Sequence, residues 1–178
     1  MSLNLTKKEP TLQKIMVGLG WEMRPGVALD LDVSVFLLAS NGKLVNESYF
    51  VFYNNLKTPD NSVQHTGDNR TGDGEGDDEV ILVNLTAVAP EVTEILFVAT
   101  IHEASTRNHS FGLLKEAYIR LVNVESKLEI VRYDLDAEFG TYTGVEFAKF
   151  NKINNEWNFT AIGIAEKASL ETYVNKYI

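Results

Sequence analysis

Short segments rich in apolar, β-branched and aromatic residues recur along the chain every ten to fifteen residues. Turn-forming residues separate them, as in Asn41-Gly42, Thr58–Asn61 and Asn154-Asn155. Asp60 is interpreted here as an ordinary turn residue. No helical segments of about ten residues alternate with these strands, so the pattern favours antiparallel sheets over a parallel α/β sheet. Nine strands are predicted: Leu12–Trp21, Leu29–Ala39, Ser48–Tyr53, Val80–Leu85, Ile95–Ile101, Ala117–Val124, Leu128–Tyr133, Val145–Ile153 and Trp157–Ile164.

The same pattern predicts how these strands pack. Val80–Leu85 and Ile95–Ile101 are apolar on both faces, which is typical of strands covered on both sides. Near the end of the chain, Ser169–Ile178 has apolar residues at helical spacing and a serine placed to cap it. Thr86–Pro90 and Phe111–Leu114 have the length of single helical turns. We predict an all-β fold, an antiparallel β-sandwich of two sheets with a short C-terminal helix, in one domain over residues 1–178.

Composition and charge narrow the possible functions. The 178 residues include no cysteine, which excludes disulfides, thiolate metal sites and cysteine nucleophiles. The net charge of −9 disfavours binding to nucleic acid and to anionic membrane surfaces. No apolar run is long enough to span a bilayer, so no direct membrane insertion is expected. No secretory signal is visible at the start, and we expect a cytoplasmic protein.

The acidity is concentrated in the glycine-rich loop Gly67–Glu79. Asp68 to Glu79 contain six carboxylates and one arginine. Two like charges about 6 Å apart repel by roughly 0.7 kcal/mol in water and about 3 kcal/mol at an effective dielectric of 20. Such a loop is therefore either solvated and flexible or neutralised by a cation. Asp73, Glu75 and Asp77 alternate with Gly74 and Gly76, so the carboxylates can converge on an ion such as Ca²⁺.

Two further segments add oxygen ligands. Asp30, Asp32 and Ser34 share one face of a predicted strand whose other face is apolar. The pair His102-Glu103 ends the apolar strand Ile95–Ile101, where a carboxylate needs a partner. Each feature alone is also compatible with ordinary exposed residues.

Other kinds of site are disfavoured by spacing. Counting Asp73 as position 1 of an EF-hand places Asp78 where the turn glycine belongs and Asn84 where the bidentate glutamate belongs. His65, His102 and His109 show no zinc-site spacing and are interpreted as surface or packing residues. The sequence contains no Walker A lysine and no GxSxG motif.

In order along the chain, a set of motifs resembles the bacterial tellurium-resistance (TerD-type) family. The motifs are Gly18–Trp21, Asp30–Ser34, Phe52–Leu56, His65–Glu79 and Arg132–Leu135. The resemblance implies a cytoplasmic β-sandwich that binds about two Ca²⁺ ions and serves in tellurite and general stress resistance, without an established enzymatic activity.

The resemblance also implies a set of metal ligands. Asp73 and Glu75 invert the family's Glu-Gly-Asp order, and Glu103 stands where aspartate is usual. These three substitutions keep the negative charge but change the length of the side chain by one methylene. The predicted ligands are Asp30, Asp32, Asp68, Asn69, Thr71, Asp73, Glu75, Asp77, Asp78 and Glu103.

Three hypotheses about function remain. In the first, Ca²⁺ orders the loop so that proteins of the same stress-resistance system recognise it. In the second, the protein is a metal-dependent hydrolase using Ca²⁺-bound water, with His65 or His102 as the candidate base. In the third, the ions have only a structural role and hold loops together. We expect the first, and no enzymatic activity.

Overall fold

The computed structural model describes residues 2–26, 28–67, 76–134 and 140–178, and the structural statements below refer to these residues. The strands are β1 (Ser2–Asn4), β2 (Lys14–Met23), β3 (Leu31–Leu38), β4 (Phe50–Val51), β5 (Val63–His65), β6 (Glu79–Asn84), β7 (Glu94–Ile101), β8 (Leu114–Asn123), β9 (Glu129–Asp134), β10 (Gly144–Ile153) and β11 (Glu156–Glu166). The helices are α1 (Leu5–Lys8), α2 (Ala104–Arg107) and α3 (Leu170–Tyr177), and Glu47–Tyr49 and Phe111–Leu113 form 3-10 turns.

The strands form two antiparallel sheets, as the sequence predicts. The six-stranded sheet has the order β1-β11-β10-β7-β3-β4, and the five-stranded sheet has the order β5-β6-β2-β8-β9. Alternate residues of each sheet point into the space between them, where Val17, Val33, Ile81, Phe97 and Leu121 are buried. The fold is therefore a β-sandwich with its main core between the layers.

A second apolar layer covers the outer face of the six-stranded sheet. Helix α3 packs there, and its Tyr173 is fully buried beside Phe36 and Val98. The predicted helix and its cap are confirmed, because the Ser169 hydroxyl accepts a hydrogen bond from the backbone N–H of Thr172 at 3.3 Å. With α3 on one side and the main core on the other, β7 is buried on both faces, as its apolar pattern predicts.

The prediction that Val80–Leu85 is covered on both faces is wrong. Ile81 and Val83 point into the core, but Leu82 lies on the outer face of the five-stranded sheet and is 37% exposed. In the part of the chain that the structure describes, α3 packs on the outer face of the six-stranded sheet, whereas Leu82 on the five-stranded sheet has no such cover. A run of residues that is apolar on both faces does not distinguish a strand covered on both sides from one whose outer face is exposed.

Polar side chains shorten two other predicted elements. The Asn46 carboxamide accepts from the backbone N–H of Ser48 at 3.0 Å and starts a 3-10 turn, so the strand predicted over Ser48–Tyr53 is limited to β4. Asn84 accepts from the Thr86 N–H at 3.2 Å, which makes Thr86–Pro90 a turn instead of a helical turn. The helical turn at Phe111 is confirmed as a 3-10 turn.

Candidate functional site

Strand β3, which carries the predicted ligand Asp32, contacts the start of β6, where the acidic loop ends. Strand β4 pairs with Val35 and Phe36 only, and the backbone N–H of Val33 donates instead to Glu79 Oε2 at 3.2 Å. This hydrogen bond joins the six-stranded sheet to the five-stranded sheet. It ties the strand that carries Asp32 to Glu79, the last residue of the acidic loop.

Asp32 lies on the outer face of β3, and that face is buried, not solvated. Its side chain is 10% exposed, and its Oδ2 lies 3.5 Å from His102 Nδ1. The neighbouring Asp30 is tied to the same histidine through the backbone, because the His102 N–H donates to the Asp30 carbonyl at 2.8 Å. Asp30, Asp32 and His102 are thus fixed relative to one another by β3 and the end of β7.

A cavity of about 980 Å³ opens above Asp32. It is lined by Thr100 from β7, by the segment after β7, by Lys167, which precedes α3, and by Thr172 in the first turn of α3. Hydroxyl, carboxylate and imidazole groups line it together with the apolar side chains of Ile101, Leu113 and Leu170, so its surface is mixed in character.

Glu103 lies at the rim of this cavity and already has a partner. Its backbone is left-handed, with φ of 49°, and its Oε2 lies 2.8 Å from Arg107 Nη2. About half of the side chain is exposed, and an exposed pair at this helical spacing adds only about 0.3–0.5 kcal/mol. The pair can therefore open at little cost.

Asp77 points to the other side of the molecule, onto the outer face of the five-stranded sheet. Its carboxylate accepts from Arg120 Nε and Nη2, both at 2.8 Å, and from the Tyr118 hydroxyl at 3.1 Å. The hydrogen bond to Asp77 raises the pKa of Arg120. Burial, reinforced by the Asp77 charge, raises the pKa of Tyr118. Asp77 is 5% exposed and holds the end of the loop on the sheet.

Asp78 extends the pairing of β2 with β6. Its N–H donates to the Leu19 carbonyl at 2.7 Å, and its Oδ2 accepts from the Trp21 N–H at 2.8 Å. Of the neighbours Asp77 and Asp78, the first is thus bound to side chains and the second to the backbone of β2.

The other predicted ligands, Asp68, Asn69, Thr71, Asp73 and Glu75, lie outside the described residues. Among the residues that the structure does describe, no three Asp, Glu or His side chains are grouped so that they could hold a metal ion. Asp30, Asp32, Asp78 and Glu103 supply carboxylate oxygens, the ligand type that Ca²⁺ prefers.

Three residues of this region have roles that the sequence does not reveal. His65 and Glu79 form a buried pair, with His65 Nε2 3.1 Å from Glu79 Oε2. Arg120 is the partner of Asp77. For Arg120 a signal exists in β2, where glycines at 18 and 20 flank the buried Leu19 and leave the outer face open to close approach.

None of the described helices is long and apolar enough to cross a lipid bilayer.

The chain is similar over its whole length to proteins named for resistance to tellurium and stress. It is 47% identical over 178 residues to the tellurium resistance protein TerD of Serratia marcescens, covering 99% of this chain and 93% of that protein. It is 43% identical to general stress protein 16U of Bacillus subtilis, covering 98% of this chain and 92% of that protein.

The fold has a solved counterpart. A homologue of the telluride resistance protein TerD from Streptomyces coelicolor A3(2) superposes with a TM-score of 0.76 at 19% identity, covering 92% of this chain and 95% of that one. The TerD domain model matches residues 1–177. This protein therefore belongs to the TerD family of tellurium-resistance and stress-response proteins.

Proposed function

We propose that this protein is a Ca²⁺-binding module of a tellurite and general stress-resistance system in the cytoplasm. About two ions order the 67–79 loop, and proteins of the same system recognise the ordered form. The observation that supports the proposal is the hydrogen bond from the Val33 N–H to Glu79 Oε2, which joins β3, the strand of Asp32, to the end of the acidic loop.

The negative charge of the acidic loop supports the binding of a cation. The segment Asp68–Glu79 has six carboxylates and one arginine, and in the described part of it Arg120 comes from β8 to pair with Asp77. A bound divalent ion removes the repulsion that remains between the other carboxylates. We assign Asp30, Asp32 and Asp78 to the ions as the described ligands. Asp77 and Glu103 have arginine partners, so their contribution requires those pairs to open.

The first test is capture of partners from a native lysate of the source cell on the immobilised protein. With Ca²⁺ present we expect specific proteins to be retained, and with a chelator present we expect them to be released. The Asp32→Asn variant should retain little in either condition. Equal retention with and without Ca²⁺ would leave the ions only a structural role.

We further propose that the protein is not an enzyme. His65, one of the two candidate bases, is 2% exposed, and its two ring nitrogens lie 3.1 Å from the Gly67 nitrogen and from Glu79, so it has no access to a substrate. His102 lies at the cavity beside Asp32 and is the base to test. Phosphoester, ester and peptide substrates should show no turnover with Ca²⁺ present. A robust rate that is lost in His102→Ala would establish the hydrolase instead.

A further inference from the structure

The buried imidazole of His65 bridges the two ends of the acidic loop. His65 is the last residue of β5, and its Nδ1 lies 3.1 Å from the backbone nitrogen of Gly67, where the loop begins. On the other side of the ring, Nε2 lies 3.1 Å from Oε2 of Glu79, where the loop ends. His65 and Glu79 are each 2% exposed, so water does not compete for these bonds.

The direction of the hydrogen bonds fixes the state of the ring. A backbone N–H can only donate, so Nδ1 of His65 is the acceptor and carries no proton. The proton of the neutral ring is then on Nε2, which donates to Glu79. The contact with Glu79 is therefore a directed hydrogen bond that is specific to this tautomer.

Glu79 also forms a hydrogen bond with β3. The same Oε2 that accepts from His65 also accepts from the Val33 N–H at 3.2 Å. Four groups are thus linked in sequence, from the Gly67 amide through His65 and Glu79 to the Val33 amide. They belong to the start of the loop, its end, and β3, the strand that carries Asp32 and directly follows Asp30.

The backbone at Gly67 is adapted to this arrangement. Its φ is +139°, a conformation that residues with a Cβ rarely adopt. A glycine at this position allows the chain to turn back so that its amide reaches the His65 ring. The backbone turn at Gly67 therefore makes the hydrogen bond to the His65 imidazole possible.

We infer that His65 is a positioning residue for Ca²⁺ binding: it ties Gly67 and Glu79, the described ends of the acidic loop, to each other and, through Glu79, to β3. This inference rests on the proposed Ca²⁺ binding. It assigns no ligand role to His65 itself. Groups that contact the ligands of a metal site commonly change metal affinity by about 10–100-fold when they are removed. His65 acts one contact further out, through Glu79, so we expect the lower end of this range.

The test compares three variants by calorimetric titration of the full chain with Ca²⁺, at a temperature where each is folded. His65→Leu removes both hydrogen bonds, and we expect its Kd for Ca²⁺ to rise by at least about tenfold. His65→Gln retains a donor near Glu79, and its Kd should fall between those of the wild type and His65→Leu. Val83→Ala is the matched control, because Val83 faces the same core from β6 and pairs with β5. It should lower the melting temperature but leave Kd within about twofold.

The outcomes separate positioning from general stability. If His65→Leu and Val83→Ala both bind Ca²⁺ as tightly as the wild type, His65 only stabilises the core and the inference is wrong. If His65→Leu does not fold, an unchanged Kd in His65→Gln together with Glu79→Gln overturns the inference in the same way. A wild type that binds no Ca²⁺ would instead overturn the proposed function, and this inference with it.

Discussion

The carboxylate of Asp77 occupies the space above Gly18 in which any other residue would place its Cβ. Gly18 pairs with Arg120 across the sheet, and Arg120 holds the same carboxylate. The end of the acidic loop therefore lies directly on the backbone of β2. A glycine in the middle of a strand, which ordinarily weakens it, here makes room for an ion pair.

Gly18→Ala should displace Asp77 from Arg120. The added methyl group overlaps the carboxylate, and overpacking of this kind lowers the free energy of unfolding by about 1–3 kcal/mol. Urea denaturation of the metal-free protein measures the loss. In an Asp77→Ala background the space is already vacant, so the same substitution should cost much less. Equal losses in the two backgrounds would show that Asp77 and Gly18 are not coupled.

Asp60 should make stability depend on pH. Burial alone would raise the pKa of this carboxyl, but hydrogen bonds from Ser62, Thr58 and the Ala89 N–H outweigh it and hold the pKa below its usual value. A carboxyl group with a lowered pKa in the folded state stabilises the fold above its unfolded pKa, and this contribution is lost as the pH falls through the folded value.

Asp60→Asn should therefore be less stable than the wild type at pH 7, by about 1–3 kcal/mol, because its amide NH₂ would face the Ala89 N–H or the Ser62 N–H. The difference should shrink below about pH 4. Thermal melting from pH 3 to 7 measures it. A difference that is the same at every pH would contradict the assignment.

Asp60 also shows where sequence patterns stop being informative. Its setting in the turn Thr58–Asn61 predicts an ordinary turn residue, and that interpretation is wrong. Its carboxylate accepts from Thr58 Oγ1 at 2.7 Å and, 29 residues away in sequence, from the Ala89 N–H at 3.1 Å. Local sequence reveals the turn, but only the fold brings Ala89 to it.

The architecture follows from the sequence more fully than the site does. Periodicity identifies β3, β7, β10, β11 and α3, because long strands and a capped amphipathic helix repeat their pattern over many residues. Strand β5 has three residues, too few to show a period. The hydrogen bond between His65 and Glu79 joins positions 14 residues apart. The ion pair of Asp77 with Arg120 joins the end of the acidic loop to β8, 43 residues away in sequence.

Asp32→Asn should weaken Ca²⁺ binding while leaving the metal-free protein folded. The substitution keeps the shape but removes one charge, and the number of charged ligands tunes the affinity of calcium sites over several decades. We expect Kd to rise about tenfold or more, with the melting temperature of the metal-free form nearly unchanged. Calorimetry and thermal melting measure the two quantities.

The control for Asp32→Asn is Glu125→Gln, which removes one charge from an exposed turn after β8. It should change neither quantity. Unfolding of metal-free Asp32→Asn would instead make Asp32 a structural partner of His102, 3.5 Å away.

Ca²⁺ should stabilise the folded protein. A ligand at 100 times its Kd adds roughly 2.7 kcal/mol per site, which for 178 residues raises the melting temperature by about 5–10 °C. Scanning calorimetry in Ca²⁺ and in chelator measures the shift, and Mg²⁺ at the same concentration serves as the control for ionic strength. Identical melting curves in Ca²⁺ and in chelator would argue against binding to the folded state.

The most direct measurement is a calorimetric titration of the metal-free wild-type protein with Ca²⁺, repeated on the double variant Asp30→Asn/Asp32→Asn. We predict binding of about two ions by the wild type, and weakened or lost binding in the double variant, since Asp32 of β3 and Asp30 just before it supply these two carboxylates. Absence of heat at millimolar Ca²⁺, confirmed by equilibrium dialysis with radioactive calcium, would contradict the proposal. Equal binding by the two proteins would show that β3 does not contribute to the site.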